Sequence, residues 1–157
     1  MLIVQKSDDG KGKRLTTTRR LKAGETFHQI TNYRLASSRT YTSVQVSEDS
    51  SIEEFFLSHL NHSCEPNVII DATKLELRAI RDVYPGEDLT FFYPSTEWEM
   101  AEPFACLCGA THCLGTVSGA QDIPLNTLGR YFVNHHIGVM ALEHLLEAGK
   151  ANLSVAA

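Results

Sequence analysis

Apolar positions in this chain come in short bursts separated by polar turns, the pattern of many brief strands rather than long helices. LIVQK at 2–6 reads as a first strand, and the Gly-, Asp- and Lys-rich stretch 7–14 as a turn. ETFHQIT at 25–31 and TYTSVQV at 40–46 read as further strands. In the second, Tyr41, Ser43 and Gln45 alternate against Thr42, Val44 and Val46, the period of a half-buried strand. Residues 51–60 predict a helix, with Ser51 at the N-cap and Glu54 three positions on, a capping box ahead of Phe55, Phe56 and Leu60. VIID, KLELRAIRD and DLTFFY at 88–93 return to strand character. Two segments echo each other, RRLKAGETF at 19–27 and RDVYPGEDL at 81–89, and Pro85-Gly86 suits a type II turn. The echo needs no more than two similar turns in a β-rich fold. Beyond Pro124 the period changes: Ile137, Met140, Ala141, His144, Leu145 and Ala148 recur at helical spacing, with Gly149 as a natural stop. The expectation is a mainly β protein with few helices and one C-terminal helix.

Composition narrows the function. A chain of 157 residues suits one domain with a real core, and 43% hydrophobic residues is not a disordered composition. The net charge of −5 argues against non-specific nucleic-acid binding and suits basic partners. No run approaches the roughly 18 apolar residues of a membrane span, and MLIVQKSDDGKGKR is no signal peptide, so an intracellular protein, nuclear or cytoplasmic, is expected.

The four cysteines add chemistry. Cys106, Cys108 and Cys113 cluster as CLCGATHC, and Cys64 stands alone in NHSCEPN at 61–67. In a reducing compartment such clusters are more often metal ligands than disulfides, and four thiolates complete a tetrahedral structural zinc site. Cys64 is then the fourth ligand; His112 is a rival whose place beside Cys113 makes joint coordination awkward. Inert buried cysteines or a redox thiol are the competing readings, but neither a C-x-x-C pair nor a Cys–His pair is evident.

NHSCEPN at 61–67, AIRDVYPGEDLTFFY at 79–93 and CLCGATHCLG at 106–115, in this order and spacing, resemble the SET-domain protein lysine methyltransferases, over roughly residues 2–120. The resemblance implies a β-clip-like SET fold with a pseudoknot, divided as SET domain at 1–103, post-SET zinc loop at 104–120 and helical extension at 121–157. It implies S-adenosylmethionine and zinc as cofactors and a lysine-bearing protein or peptide as substrate. Asn61, His62, Tyr93, Leu107 and the early-turn residues Gly12 and Arg14 become cofactor contacts, and Tyr93 and Phe91 the catalytic pair. The chemistry asks for such a pair. Displacement at a sulfonium methyl needs a neutral amine, and deprotonating free lysine at pH 7 costs about 4–5 kcal/mol. A narrow apolar channel beside a cation lowers that cost, and a tyrosine hydroxyl with backbone carbonyls aims the lone pair. Phe91 stands where the family tunes product, and its lack of a hydroxyl leaves room for di- or trimethylation. Tyr41, Phe92 and Trp98 are candidate aromatic walls or core residues.

The chain departs from the family pattern in three places. Arg14 falls where the family has the second glycine of a Gly-x-Gly turn, and arginine adopts glycine-only backbone angles at a cost. No cysteine precedes Cys64, so a pre-SET zinc cluster is lacking, and the variable segment at about 33–58 is short. The C-terminal helix is expected either to supply the missing groove wall or to form a homodimer interface. Besides the lysine methyltransferase, two readings compete: a SET-like enzyme acting on a small amine or metabolite, and an inactive SET-like binding module.

Overall fold

The computed structural model describes residues 1–7 and 12–155, with side chains to residue 150; residues 8–11 of the stretch expected to be a turn lie outside the described residues. Short strands dominate, as the apolar bursts require. β1 (Leu2–Lys6) and β2 (Lys13–Thr17) form an antiparallel hairpin in which β2 begins inside the stretch expected to be a turn. β3 (Thr26–Gln29) joins a sheet completed later in the chain. β4 (Arg34–Leu35), β5 (Val44–Gln45) and β6 (Ser51–Glu53) form a second sheet in the order β4-β6-β5.

This second sheet corrects two expectations. The helix predicted over 51–60 is a central strand followed by a short 3₁₀ turn at Leu57–His59. Ser51 caps nothing. Instead Glu54 Oε2 accepts the Phe56 and Leu57 amides at 2.8 and 2.9 Å, starting the turn where the strand ends. Pairing of β6 on both edges satisfies its backbone and outweighs local helix propensity. The strand expected over 40–46 shrinks to Val44–Gln45, because Thr40 and Ser43 bond each other's backbone and close a turn.

β7 (Asn61–His62) and β10 (Thr90–Phe91) pair in parallel, Thr90 opposite Asn61 and Phe91 opposite His62. Between them β8 (Val68–Asp71) and β9 (Glu76–Ala79) run antiparallel, and β9 also pairs with β3. Segment 61–67 is thereby crossed by a strand from 29 residues later in the chain, the knot-like threading expected of the fold. Asn67, 2% exposed, holds the crossing: its Nδ2 donates to the Asp88 carbonyl at 2.7 Å and its Oδ1 accepts the Thr90 amide at 2.9 Å.

The sequence echo is a structural one. Both turns carry a glycine at positive φ, Gly24 at 83° and Gly86 at 85°, where side chains are strained. In each, the following glutamate folds back onto the amide three residues earlier, Glu25 onto Lys22 and Glu87 onto Tyr84. Leu21 and Val83, just before the turns, exchange two backbone bonds, so the repeats pair with each other.

The main core gathers Leu15, Leu21, Ile52, Ile70, Leu77, Val83 and Leu89 between these sheets. β11 (Phe104–Ala105) and β12 (Thr116–Val117) bracket the cysteine loop. The extension holds α1 (Leu125–Leu128) and α2 (His135–Val155). Its anchor is Asn134, 2% exposed, whose amide bonds Ala72, Ile70 and Ser95. Tyr131 stacks on Phe92 at 3.6 Å, and Ile137 is fully buried. The expected apolar face of α2 is packed only at its start. Leu145 is 47% exposed, and the helix continues through Gly149, where one glycine costs only about 1 kcal/mol among good helix formers.

Candidate active site and cysteine centre

Tyr93 follows β10 and opens a 3₁₀ turn over Tyr93–Ser95, so its ring projects from the end of the knotted strand. Its hydroxyl donates to the Leu60 carbonyl at 2.9 Å, and its backbone amide donates to His62 Nδ1 at 3.2 Å. Rings surround it: Phe91 at 4.7 Å, His62 at 5.2 Å and Phe104 at 5.9 Å between centroids. Burial, with help from nearby Glu97, pushes the phenol up to about 12, so it stays a neutral hydroxyl. Burial alone pulls His62 down to about 4, which keeps its ring neutral and Nδ1 free to accept.

Two cavities meet at this tyrosine. One, of about 510 Å³, is lined by Asn61, His62, Phe104 and Leu107 among others. The other, of about 30 Å³, is lined by Leu57, Leu60, Phe91 and Glu97 with a ring of Thr and Ser hydroxyls. Tyr41, Tyr93 and Met100 wall both. Thr42 and Ser58 in turn link the small cavity to an outer groove bearing Tyr33, Glu53 and Phe55. The expected residues Phe91, Tyr93, Asn61, His62 and Leu107 are thus brought together, Leu107 as a 93% exposed side chain at the rim.

Gly12 and Arg14 are placed differently. Arg14 lies in regular strand β2, not at positive φ, so the feared backbone strain is absent. Its guanidinium meets Asp88 at 2.5 Å, and neither residue lines the large cavity. Asn61 Nδ2 instead reaches the Lys13 carbonyl at 3.0 Å, tying the knot to this strand. Of the aromatic candidates, only Tyr41 walls the cavities; Phe92 and Trp98 are core, Trp98 against His144 of α2. No described side chain of α2 lines either cavity or the groove, so among the described residues the helix supplies no wall to them.

Pattern reading passed over Glu97, Met100 and Phe104. Glu97 is 8% exposed, and burial pushes its carboxyl up to about 7, with bonds from the Gln45 amide and Thr96 hydroxyl opposing that rise. A folded value above the unfolded 4.5 means stability is full below 4.5 and is lost as pH rises through about 7. The expected loss is about 3 kcal/mol. Thermal melts from pH 4 to 8 should show this decline in the wild type and not in Glu97→Gln; equal slopes would refute it.

The four cysteines converge. Their sulfurs all lie within 4.8 Å of one another, with Cys64 and Cys106 at 4.0 Å. Sulfurs around a tetrahedral zinc with 2.3 Å bonds sit about 3.8 Å apart, so this set fits such an ion. His112 is not among them; it lines an apolar cleft with Cys64, Arg130 and Tyr131. Burial pushes Cys64 up to about 12. Burial also opposes ionisation of Cys108, but hydrogen bonds from the Ala110 and Cys64 amides and from the Cys106 and Cys113 thiols outweigh it and bring Cys108 to about 6. A dication removes this conflict by holding all four as thiolates, releasing protons as it binds.

Comparison with known proteins agrees with this geometry. The SET domain family model matches residues 7–94. Methyltransferase flvH of Aspergillus flavus is 45% identical over 120 residues, covering 74% of this chain and 67% of that protein. The "Histone-lysine N-methyltransferase, H3 lysine-36 specific" of Chaetomium globosum is 34% identical over 80 residues, covering 43% of this chain but only 9% of that protein. Among solved structures, KRYPTONITE in complex with mCHG DNA and SAH aligns with a TM-score of 0.57 at 22% identity, over 73% of this chain and 28% of that one. The methyltransferase domain of human SETMAR gives 0.56 at 20% identity, over 75% and 58%. At such identities the structural likeness is one of fold. A family match running from the first hairpin to the tyrosine between the two cavities, over more than half of the residues, shows that the chain belongs to the SET domain methyltransferase family.

Proposed function

We propose that this protein transfers a methyl group from S-adenosylmethionine to the ε-amine of a lysine in a protein substrate. The observation that carries this is the meeting of the two cavities at Tyr93, one large enough for a cofactor and one narrow enough for a single amine. A volume of about 510 Å³ falls within the usual range for cofactor sites, and its wall mixes the polar Asn61, His62 and Glu102 with the apolar Phe104 and Leu107. When bound there, S-adenosylmethionine supplies an electrophilic sulfonium methyl. The chain's own residues do the rest. The small cavity admits a linear alkylamine from the outer groove and strips its water. Tyr93 and the Leu60 carbonyl give the amine a fixed polar partner at the junction, so that orientation lowers the barrier. Zinc, held by Cys64, Cys106, Cys108 and Cys113, serves structure: it keeps Leu107 and Phe104 on the cofactor wall. Gly12 and Arg14 act at second hand, through β2 and its bond to Asn61.

Support for lysine in a protein comes from relatives named for histones, which makes histone tails in a nuclear setting the first substrates to test. The small-amine reading draws on the relative named simply as a methyltransferase and on the short 33–58 segment. Purified protein with labelled S-adenosylmethionine, tested on core histones, lysine peptides and free alkylamines, decides between them. Label only in the amines would move the substrate to a metabolite; label in none would sink both.

Two further results are expected. Asn61→Ala should weaken S-adenosylmethionine binding by about 1–3 kcal/mol, because a polar cavity partner and the bond to Lys13 vanish together. Calorimetry showing unchanged affinity would move the cofactor elsewhere. Phe91→Tyr adds a hydroxyl to the small cavity and should shift products toward monomethyl-lysine, read by mass spectrometry; unchanged product distribution would remove Phe91 from product control.

A further inference from the structure

The small cavity contains one acid, and its setting is unusual. Glu97 Oε1 is occupied, accepting the Gln45 amide at 2.9 Å and the Thr96 hydroxyl at 3.0 Å. Oε2 makes no hydrogen bond among the described residues and is not sealed off, although the residue is only 8% exposed. Glu97 lies on the cavity wall with Tyr93 and Phe91. The free oxygen of a largely buried carboxylate loses most of its hydration, which is costly unless a cation, a donor or water visits it. In a cavity of about 30 Å³, room for about two water-sized groups, a visitor sits among all these walls.

We infer that Glu97 is the cation-recognising and proton-accepting residue of the amine cavity, a role that rests on the amine methylation proposed above. The substrate enters as an ammonium drawn to Oε2. An N–H proton passes to Oε2, leaving the lone pair on nitrogen. That pair forms the new N–C bond to the methyl while the C–S bond breaks and its electrons return to sulfur. The methylated ammonium departs as Glu97 returns its proton to solvent, and charge balances at +1 on both sides of the transfer.

The energetics agree with the geometry. A buried lysine amine falls from about 10.4 by up to 3–5 units. Burial raises Glu97 to about 7, so donor and acceptor are matched near neutral pH, where general bases work best. The neighbours leave that role to Glu97. Tyr93 on the same turn is held as a hydroxyl, Arg39 acts from a distance while bound to Glu99, and His136 of α2 bonds the Thr96 carbonyl instead.

The test uses n-butylammonium as probe and the zinc-loaded protein. In the wild type, the Glu97 carboxyl carbon followed by NMR should shift on titration with the probe, and Glu97→Gln, whose amide oxygen still accepts the Gln45 amide, should bind it about tenfold more weakly. An unmoved Glu97 signal, or equal binding by the variant, overturns the inference. With a lysine peptide, kcat/KM of Glu97→Gln should fall about tenfold at pH 7, and the loss should shrink by about pH 9.5 as free amine becomes abundant. Cofactor affinity should hold. The same loss at every pH marks a purely structural residue and also overturns it. Butylammonium bound at Glu97 in a protein that methylates neither peptide nor amine supports the cation site while sinking the lysine methyltransferase reading.

Discussion

Replacing Tyr93 by phenylalanine should lower the methyl-transfer rate by about 10²-fold or more while S-adenosylmethionine affinity changes little, the signature of an interaction made mainly in the transition state. The substitution removes one hydroxyl and almost no volume. Ring contacts to Phe91, His62 and Phe104 survive, as does the backbone bond to His62, so folding and metal content should hold. What is lost is a donor to the Leu60 carbonyl that, with its pKa pushed up to about 12, stays protonated across the working pH range. In the proposed reaction, the hydroxyl and that carbonyl together define where the amine's lone pair points. Single-turnover rates and cofactor titrations on both proteins read this directly. A variant as fast as the wild type would overturn the catalytic assignment.

Removing the metal should have the second largest effect. Elemental analysis of protein prepared without chelator should give one zinc per chain, and well under one equivalent would count against the site. A strong chelator, or Cys108→Ser, should release the loop between β11 and β12. That hairpin pairs only two residues on each strand, and besides Cys64 it is held to the knot mainly by the Phe104 ring against His62 and Tyr93. Phe104 and Leu107 then leave the large cavity, and S-adenosylmethionine affinity should fall about tenfold or more. The sheets around Leu15, Ile70 and Leu77 share no residue with the loop and should keep their melting transition. Chelation that leaves cofactor affinity unchanged would detach the cysteine centre from the cofactor wall. Because thiols must lose protons to bind metal, zinc should also come off more readily as pH falls.

Much of this molecule is written locally. The β-rich class, the turns at Gly24 and Gly86, the start of the C-terminal helix and the four-cysteine set all follow from patterns of a few residues. Each depends on short-range rules: periodicity, glycine at positive φ, and thiol spacing in a reducing setting. That Tyr93, Phe91, Asn61, His62 and Leu107 gather at the two cavities was also legible as a position, through motifs whose order matches a known family. The failures have one cause. SIEEFFLSHL carries a sound helix-start signal, yet β4 and β5 flank its first three residues and turn them into a strand. Arg14 stands at a glycine position, yet hairpin pairing keeps it extended and Asp88 takes its charge. Glu97 had no motif at all. It is one acid among the 19 in the chain, and only the fold, by burying it on the wall of the small cavity with one oxygen making no hydrogen bond among the described residues, distinguishes it from a surface carboxylate. Sequence alone determined which chemistry is present, because chemistry resides in residue types. Tertiary structure decided which groups are desolvated and face each other, because burial and proximity are set by contacts between residues far apart in the chain.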